Sequence, residues 1–146
     1  MSKLKTQSNN RTQLMNICII EAGMTYEDDY DIRDIINDVI EKHDFEEKTR
    51  KHGCFVECIL RKLNWMEKSE FKEDKFYADL NKIFANHPYK IQIYEFLNDC
   101  IRKVKHEPQE RCQRGVVAMK CGVKSVYRLF PSILNENEEN KENGNN

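Results

Sequence analysis

Six cysteines in 146 residues, at positions 18, 54, 58, 100, 112 and 121, constrain this chain more than any other feature of it. The intervals between them hold 35, 3, 41, 11 and 8 residues. An even count in a small chain points to a disulfide framework, and six cysteines allow fifteen connectivities. Helix geometry shortens that list. Cys54 and Cys58 lie one turn apart on one helix face and are poorly aimed at each other. Cys112 and Cys121, if one helix carries both, are separated by about 13 Å along its axis. Excluding both pairs leaves ten connectivities open. Nine residues at about 100° each also turn Cys112 and Cys121 to opposite faces. The last helix is therefore expected to be stapled on two sides, to two different neighbours.

The apolar pattern is helical almost throughout and predicts an all-α fold of about six helices in one domain. A first helix is expected from about Thr12 to Ala22, stopping at Gly23. Thr25 then reads as an N-cap with Asp28 bonding back to it. The stripe Ile32, Ile35, Ile36, Val39 and Ile40 marks a second segment ending near His43. Gly53 interrupts before a third, Cys54 to about Leu63. A fourth, Glu73 to Ala85, directs Phe76, Tyr77, Leu80, Ile83 and Phe84 inward and is closed by Asn86-His87-Pro88. The fifth, Lys90 to Lys105, carries Ile93, Phe96, Leu97, Cys100, Ile101 and Val104 on one side. Pro108 is placed in the first turn of the last helix, which runs to about Arg128. These limits divide the chain into a flexible N-terminus (1–11), a helical domain (12–134) and a disordered acidic tail (135–146).

Charge adds little to the function. The net charge of −1 hides an acidic stretch, Glu21 to Glu47, with 11 acidic and 2 basic side chains. A basic stretch, Arg102 to Arg128, has 8 basic and 2 acidic. Opposed segments in one small domain argue against a nucleic-acid site and fit solvated helix faces. The most apolar run, Leu14 to Ile20, is interrupted by Asn16 and is far short of a transmembrane segment.

The cysteine spacing carries a specific resemblance. Three residues between the second and third cysteines and eight between the fifth and sixth are similar to the six-cysteine insect odorant-binding proteins. The likeness covers about Gln13 to Tyr127, and His52-Gly53-Cys54-Phe55-Val56-Glu57-Cys58-Ile59-Leu60 resembles that family's third helix. More loosely, the chain is similar to the ant pheromone-binding group called general protein 9. The resemblance implies interlocked pairs Cys18–Cys58, Cys54–Cys112 and Cys100–Cys121, all among the ten connectivities left open. It also implies a secreted carrier that holds a small hydrophobic ligand, such as an odorant, pheromone or related lipid, in an internal pocket. An odorant receptor or a second copy of the chain are the partners it leaves open.

Candidate lining residues are the apolar positions beside the cysteines on each stripe: Phe55, Ile59, Leu63, Phe76, Leu80, Phe84, Phe96, Leu97, Val116, Met119 and Val123. Phe130, Ile133 and Leu134 follow the last helix directly and could fold back as a lid. Trp65 and Met66 either cap the pocket or cover the end of the third helix. Tyr77, Tyr94 and Tyr127 are possible hydroxyl donors to a ligand. His43, His87 and His106 could make uptake depend on pH, since imidazole titrates near pH 6.5.

Other classes find less support. There is no phosphate-binding glycine loop, nucleophile elbow or His-Glu-x-x-His, and the acidic run Glu27–Asp31 lacks the Gly and terminal Glu of a calcium loop. The chain is read as neither an enzyme nor a holder of a cofactor. His52, Cys54 and Cys58 could begin a zinc site, but no second Cys/His pair follows at ligand spacing, so no metal is expected. The rival from another class is a secreted helical signalling or interaction protein that uses an outer surface. No secretion signal is visible after Met1-Ser2-Lys3-Leu4-Lys5. The cysteines nevertheless favour an oxidising, extracellular compartment. The sequon Asn10-Arg11-Thr12 would be usable there.

Overall fold

The structure, a computed structural model, describes residues 2–28, 32–37, 46–68, 70–108, 110 and 112–131. Its helices are α1 (Ser2–Ala22), α2 (Ile32–Ile36), α3 (Glu46–Lys62), α4 (Glu73–Phe84), α5 (Lys90–His106) and α6 (Gln113–Leu129). A single 3-10 turn, Tyr26–Asp28, precedes α2. The all-α expectation stands: the described strands are two-residue pieces, β1 (Met66–Glu67) and β2 (Glu70–Phe71), paired antiparallel as a hairpin between α3 and α4.

The punctuation acts where local chemistry places it. Gly23, at φ 69°, takes the left-handed residue after α1. Its N–H donates to the Ile20 carbonyl and that of Met24 to Ile19, closing the helix in a Schellman motif. Asn64, at φ 63°, ends α3 in the same way, with Trp65 N–H reaching back to Leu60. At the following turn Thr25 and Asp28 bond reciprocally. The Thr25 N–H donates to Asp28 Oδ2 at 2.8 Å, and the Asp28 N–H donates to the Thr25 carbonyl at 3.0 Å.

Four expectations need correction. α1 begins at Ser2 rather than near Thr12. Gly53 does not interrupt α3 but lies inside it. Pro108 is not in the first turn of α6, which starts at Gln113 behind a left-handed Cys112 (φ 63°). Ile83 does not face inward, being 64% exposed. Val39, Ile40, His43, Ile133, Leu134 and the tail 135–146 lie outside the described residues.

The core is organised by α3 and α6. α3 packs against both α1 and α6, while α6 also receives α5 and α2. Disulfides fix each main contact: Cys18–Cys58 joins α1 to α3, Cys54–Cys112 joins α3 to the start of α6, and Cys100–Cys121 joins α5 to α6. All six cysteines are paired. Cys112 and Cys121 do staple the last helix to two neighbours, and Cys54 and Cys58 fasten α3 to two others. In the chain-entropy account, separations of 21, 40 and 58 residues give roughly 3–4 kcal/mol per bridge, as an upper estimate.

Between Cys54 and Cys112 the two helices meet without side chains. A Cβ on Gly53 would lie 2.5 Å from the Cys112 carbonyl oxygen, and one on Gly115 would collide with the Gly53 carbonyl. Only glycine permits this approach.

Candidate functional site

The apolar side chains gather in more than one place. Phe76 and Leu80 of α4 and Ile101 of α5 are buried together, with Trp65, Phe71, Tyr77, Phe84, Tyr94 and Leu97 packed around them. The rings meet edge to face around Phe76, with Trp65 at 4.9 Å and Phe71 at 5.3 Å between centroids. Such pairs add to plain area burial. Trp65 is held in place by its indole N–H, which donates to Asp79 Oδ2 at 2.8 Å. Lys75, 2.9 Å from Asp79, and then this indole keep the Asp79 carboxyl below the usual carboxylate range.

Four of the expected lining residues, Phe76, Leu80, Phe84 and Leu97, are thus brought together. Val116 is elsewhere, buried at the α3–α6 crossing with its Cγ2 facing Gly53. Phe55, Ile59, Leu63, Phe96, Met119 and Val123 are half-buried. Phe130 packs on Tyr89, centroids 5.9 Å apart, so the chain leaving α6 reaches back to the start of α5. His87 and Phe84 continue that row of rings onto α4. Of the two uncertain residues, Met66 is buried and Trp65 belongs to the aromatic cluster.

Two of the three proposed hydroxyl donors, Tyr77 and Tyr94, have protein partners. Tyr77 on α4 donates to Asn98 on α5, and Tyr94 on α5 donates to Asn81 on α4. The two rings stack between these bonds, 6.0 Å apart. Burial raises the Tyr77 hydroxyl above its ordinary pKa.

Two charged groups occupy protected positions. Asp28 is 8% exposed; the Thr25 N–H, then Lys51 at 3.5 Å, hold its carboxyl below the usual range against the opposing effect of burial. The carbonyl of the same residue accepts a bond from His52 Nε2. Glu57 on α3 is half-buried beside the first turn of α6. Burial raises its pKa, although the Arg61 charge and the Gly115 N–H pull the other way.

A cleft of about 990 Å³ opens where the hairpin meets the end of α3 and the facing sides of α4 and α5. Its basic side chains, Arg61, Lys68, Lys72, Lys75, Lys105 and Arg114, outnumber its acids Glu67, Glu70, Glu73 and Asp74. Met66, Phe71 and Val104 supply an apolar floor. A smaller lobe of about 320 Å³ adjoins it and shares Arg61, Met66 and Lys68.

Residues 2–125 match the PBP/GOBP family across most of the chain. The chain belongs to that family. Among its relatives, the pheromone-binding protein Gp-9 of Solenopsis geminata is 27% identical over 104 residues, which is 71% of this chain and 67% of the relative. The Gp-9 proteins of Solenopsis daguerrei and Solenopsis electra are each 26% identical over the same shares. No solved structure matches significantly. This member of the PBP/GOBP family keeps all six sulfurs in disulfides, so Cys54 and Cys58 have no thiolate to offer zinc. The same holds for Cys18 and Cys58, whose sulfurs lie near the Glu21 carboxylate. Among the described residues no helix is long and apolar enough to cross a membrane.

Sequence reasoning missed the cleft and Glu57. Neither has a motif, because residues from separate segments meet only after folding. The Gly53–Gly115 contact did leave a trace. Each glycine stands close in sequence to one member of the Cys54–Cys112 pair, so bonding the cysteines brings the glycines to the crossing.

Proposed function

We propose that this PBP/GOBP protein is a secreted carrier that binds a small hydrophobic ligand among its helices and conveys it through aqueous fluid. The match to the family over residues 2–125 carries this reading, and relatives named pheromone-binding proteins support it. The cystine frame is consistent with it, since covalent links can supply stability that a fully packed core would otherwise provide. The proposed lining is Phe76, Leu80, Phe84 and Leu97, already adjacent, together with half-buried Phe55, Ile59, Leu63, Phe96, Met119 and Val123. Val116 and Phe130 complete the set at the helix crossing and at the end of α6.

Binding would draw on apolar burial. A ligand surrendering about 300 Å² of apolar surface gains roughly 7 kcal/mol at about 25 cal/mol per Å². Immobilisation costs bring that into the micromolar range or weaker. The test is displacement of a hydrophobic fluorescent probe by long-chain alcohols, esters and fatty acids. Micromolar competition by some of these is expected. No displacement across the panel would overturn the carrier and favour a secreted helical signalling protein acting through its outer surface.

A further inference from the structure

We infer that the cleft beside the hairpin is a head-group site for an aliphatic carboxylate, with Lys68 as its anion-binding residue. The inference rests on the carrier reading for the hydrocarbon part of the ligand.

Three observations converge on Lys68. The other lysines of the cleft are already neutralised: Lys72 by Glu67 and Glu70 at 3.4 and 3.6 Å, Lys75 by Asp79 at 2.9 Å, and Lys105 by Glu73 at 2.5 Å. Arg61 pairs with Glu21 at 3.2 Å. Lys68 alone among these lysines has no carboxylate within ion-pair distance among the described residues. Second, it sits at the tip of the hairpin with φ 55°, a left-handed conformation that favours glycine or asparagine. A lysine held there spends conformational energy to present its ammonium, and such positions cluster at ligand clamps. Third, Lys68 lines both lobes, beside Met66, which is only 4% exposed.

The floor explains why the ligand should be an amphiphile and not a free anion. Phe71 lines the cleft and also packs on the Phe76–Leu80–Ile101 cluster. Phe71 therefore joins the floor of the cleft to the aromatic cluster by direct packing. A carboxylate at Lys68 would place its first methylenes on Met66 and Phe71, with the chain running inward.

The test compares decanoate with 1-decanol on the intact disulfide-bonded protein by calorimetry, in low salt and in 0.5 M salt. Decanoate should bind about three- to tenfold more tightly, the range expected for one partly screened charge-assisted contact. That advantage should shrink in high salt. It should vanish in Lys68→Gln, with decanol binding unchanged, and persist in Lys62→Gln, which removes an exposed charge from α3 away from the cleft. Equal affinities for the two ligands would overturn the head-group site and leave the carrier standing. So would a preference for decanoate that survives Lys68→Gln. Binding of neither ligand would bring down the carrier reading as well.

Discussion

A methyl group placed on Gly115 would overlap the carbonyl oxygen and carbon of Gly53, because α3 and α6 touch backbone to backbone where these residues cross. The Cys54–Cys112 bridge stands next to this contact, so the covalent link and the close approach depend on each other. Gly115→Ala is expected to cost about 2–3 kcal/mol, at the upper end of overpacking. Gly53→Ala should cost a similar amount, since its Cβ would also meet Val116 Cγ2 at 2.6 Å. Gly122 in α6 has nothing within 4 Å of an added Cβ, and Gly122→Ala should gain up to about 1 kcal/mol from helix propensity. Urea denaturation of the oxidised proteins should rank Gly122→Ala above wild type and both crossing variants below it.

The disulfides should differ in their weight. Replacing Cys54 and Cys112 together by serine releases a 58-residue separation, worth about 4 kcal/mol in the loop-entropy account. The Cys100–Cys121 separation of 21 is worth about 3. Thermal unfolding of the two double variants checks the order. Denatured but unreduced wild type should take up no alkylating reagent.

Two carboxylates should give opposite pH dependences. Asp28 has a lowered folded pKa, set first by the Thr25 N–H. Its stabilisation is present above the unfolded value near 3.8 and is lost as pH falls through the folded value. Asp28→Asn should therefore flatten the acid limb of stability below about pH 4. Glu57 has a raised pKa through burial. The neutral form is favoured, and stability declines as pH rises from about 4.5 through the folded value. Glu57→Gln should remove that decline and leave the protein more stable than wild type at neutral pH. Melting temperature against pH reads both effects.

The Tyr77–Asn98 and Tyr94–Asn81 bonds cross between α4 and α5 in opposite directions. Each should contribute about 1 kcal/mol. Tyr77→Phe and Tyr94→Phe together should cost an amount different from the sum of the singles, because the stacked rings couple the two bonds. A double-mutant cycle by chemical denaturation measures this. Strict additivity would show that the two bonds act alone.

The frame of this protein was legible because its signals are local or covalent. Gly23 ends α1 by taking φ 69°, and Asp28 bonds back to Thr25 as expected. Cys112 and Cys121 fasten the last helix to two neighbours as expected, although Cys112 stands just before α6 and not on it. Failures arose where tertiary contact overrode local preference. Gly53 disfavours helix on its own, yet stays in α3 because the crossing leaves no room for a side chain. Pro108 suits a first turn, but α6 starts only after Cys112, which is tied to Cys54. Ile83 occupies a stripe position near the end of α4 but stays exposed, while its neighbour Phe84 packs on the aromatic cluster. The cleft around Lys68 was beyond sequence reading because charged residues from α3, the hairpin, α4, α5 and α6 form it only when assembled.

The order in which cystines link the helices, α1 to α3, α3 to α6 and α6 to α5, leaves one long element out of the covalent chain. α4 contains no cysteine. Its ties to the rest include the Phe76 cluster, the Trp65–Asp79 bond, the two tyrosine bonds and the Lys105–Glu73 pair, none of them covalent. Every described helix longer than two turns except α4 is therefore barred from drifting far from its neighbours even when its contacts loosen. Amide exchange should find α4 opening at the lowest free energy of these long helices. The wall of this protein that can swing is the one that cysteine chemistry never bolted down.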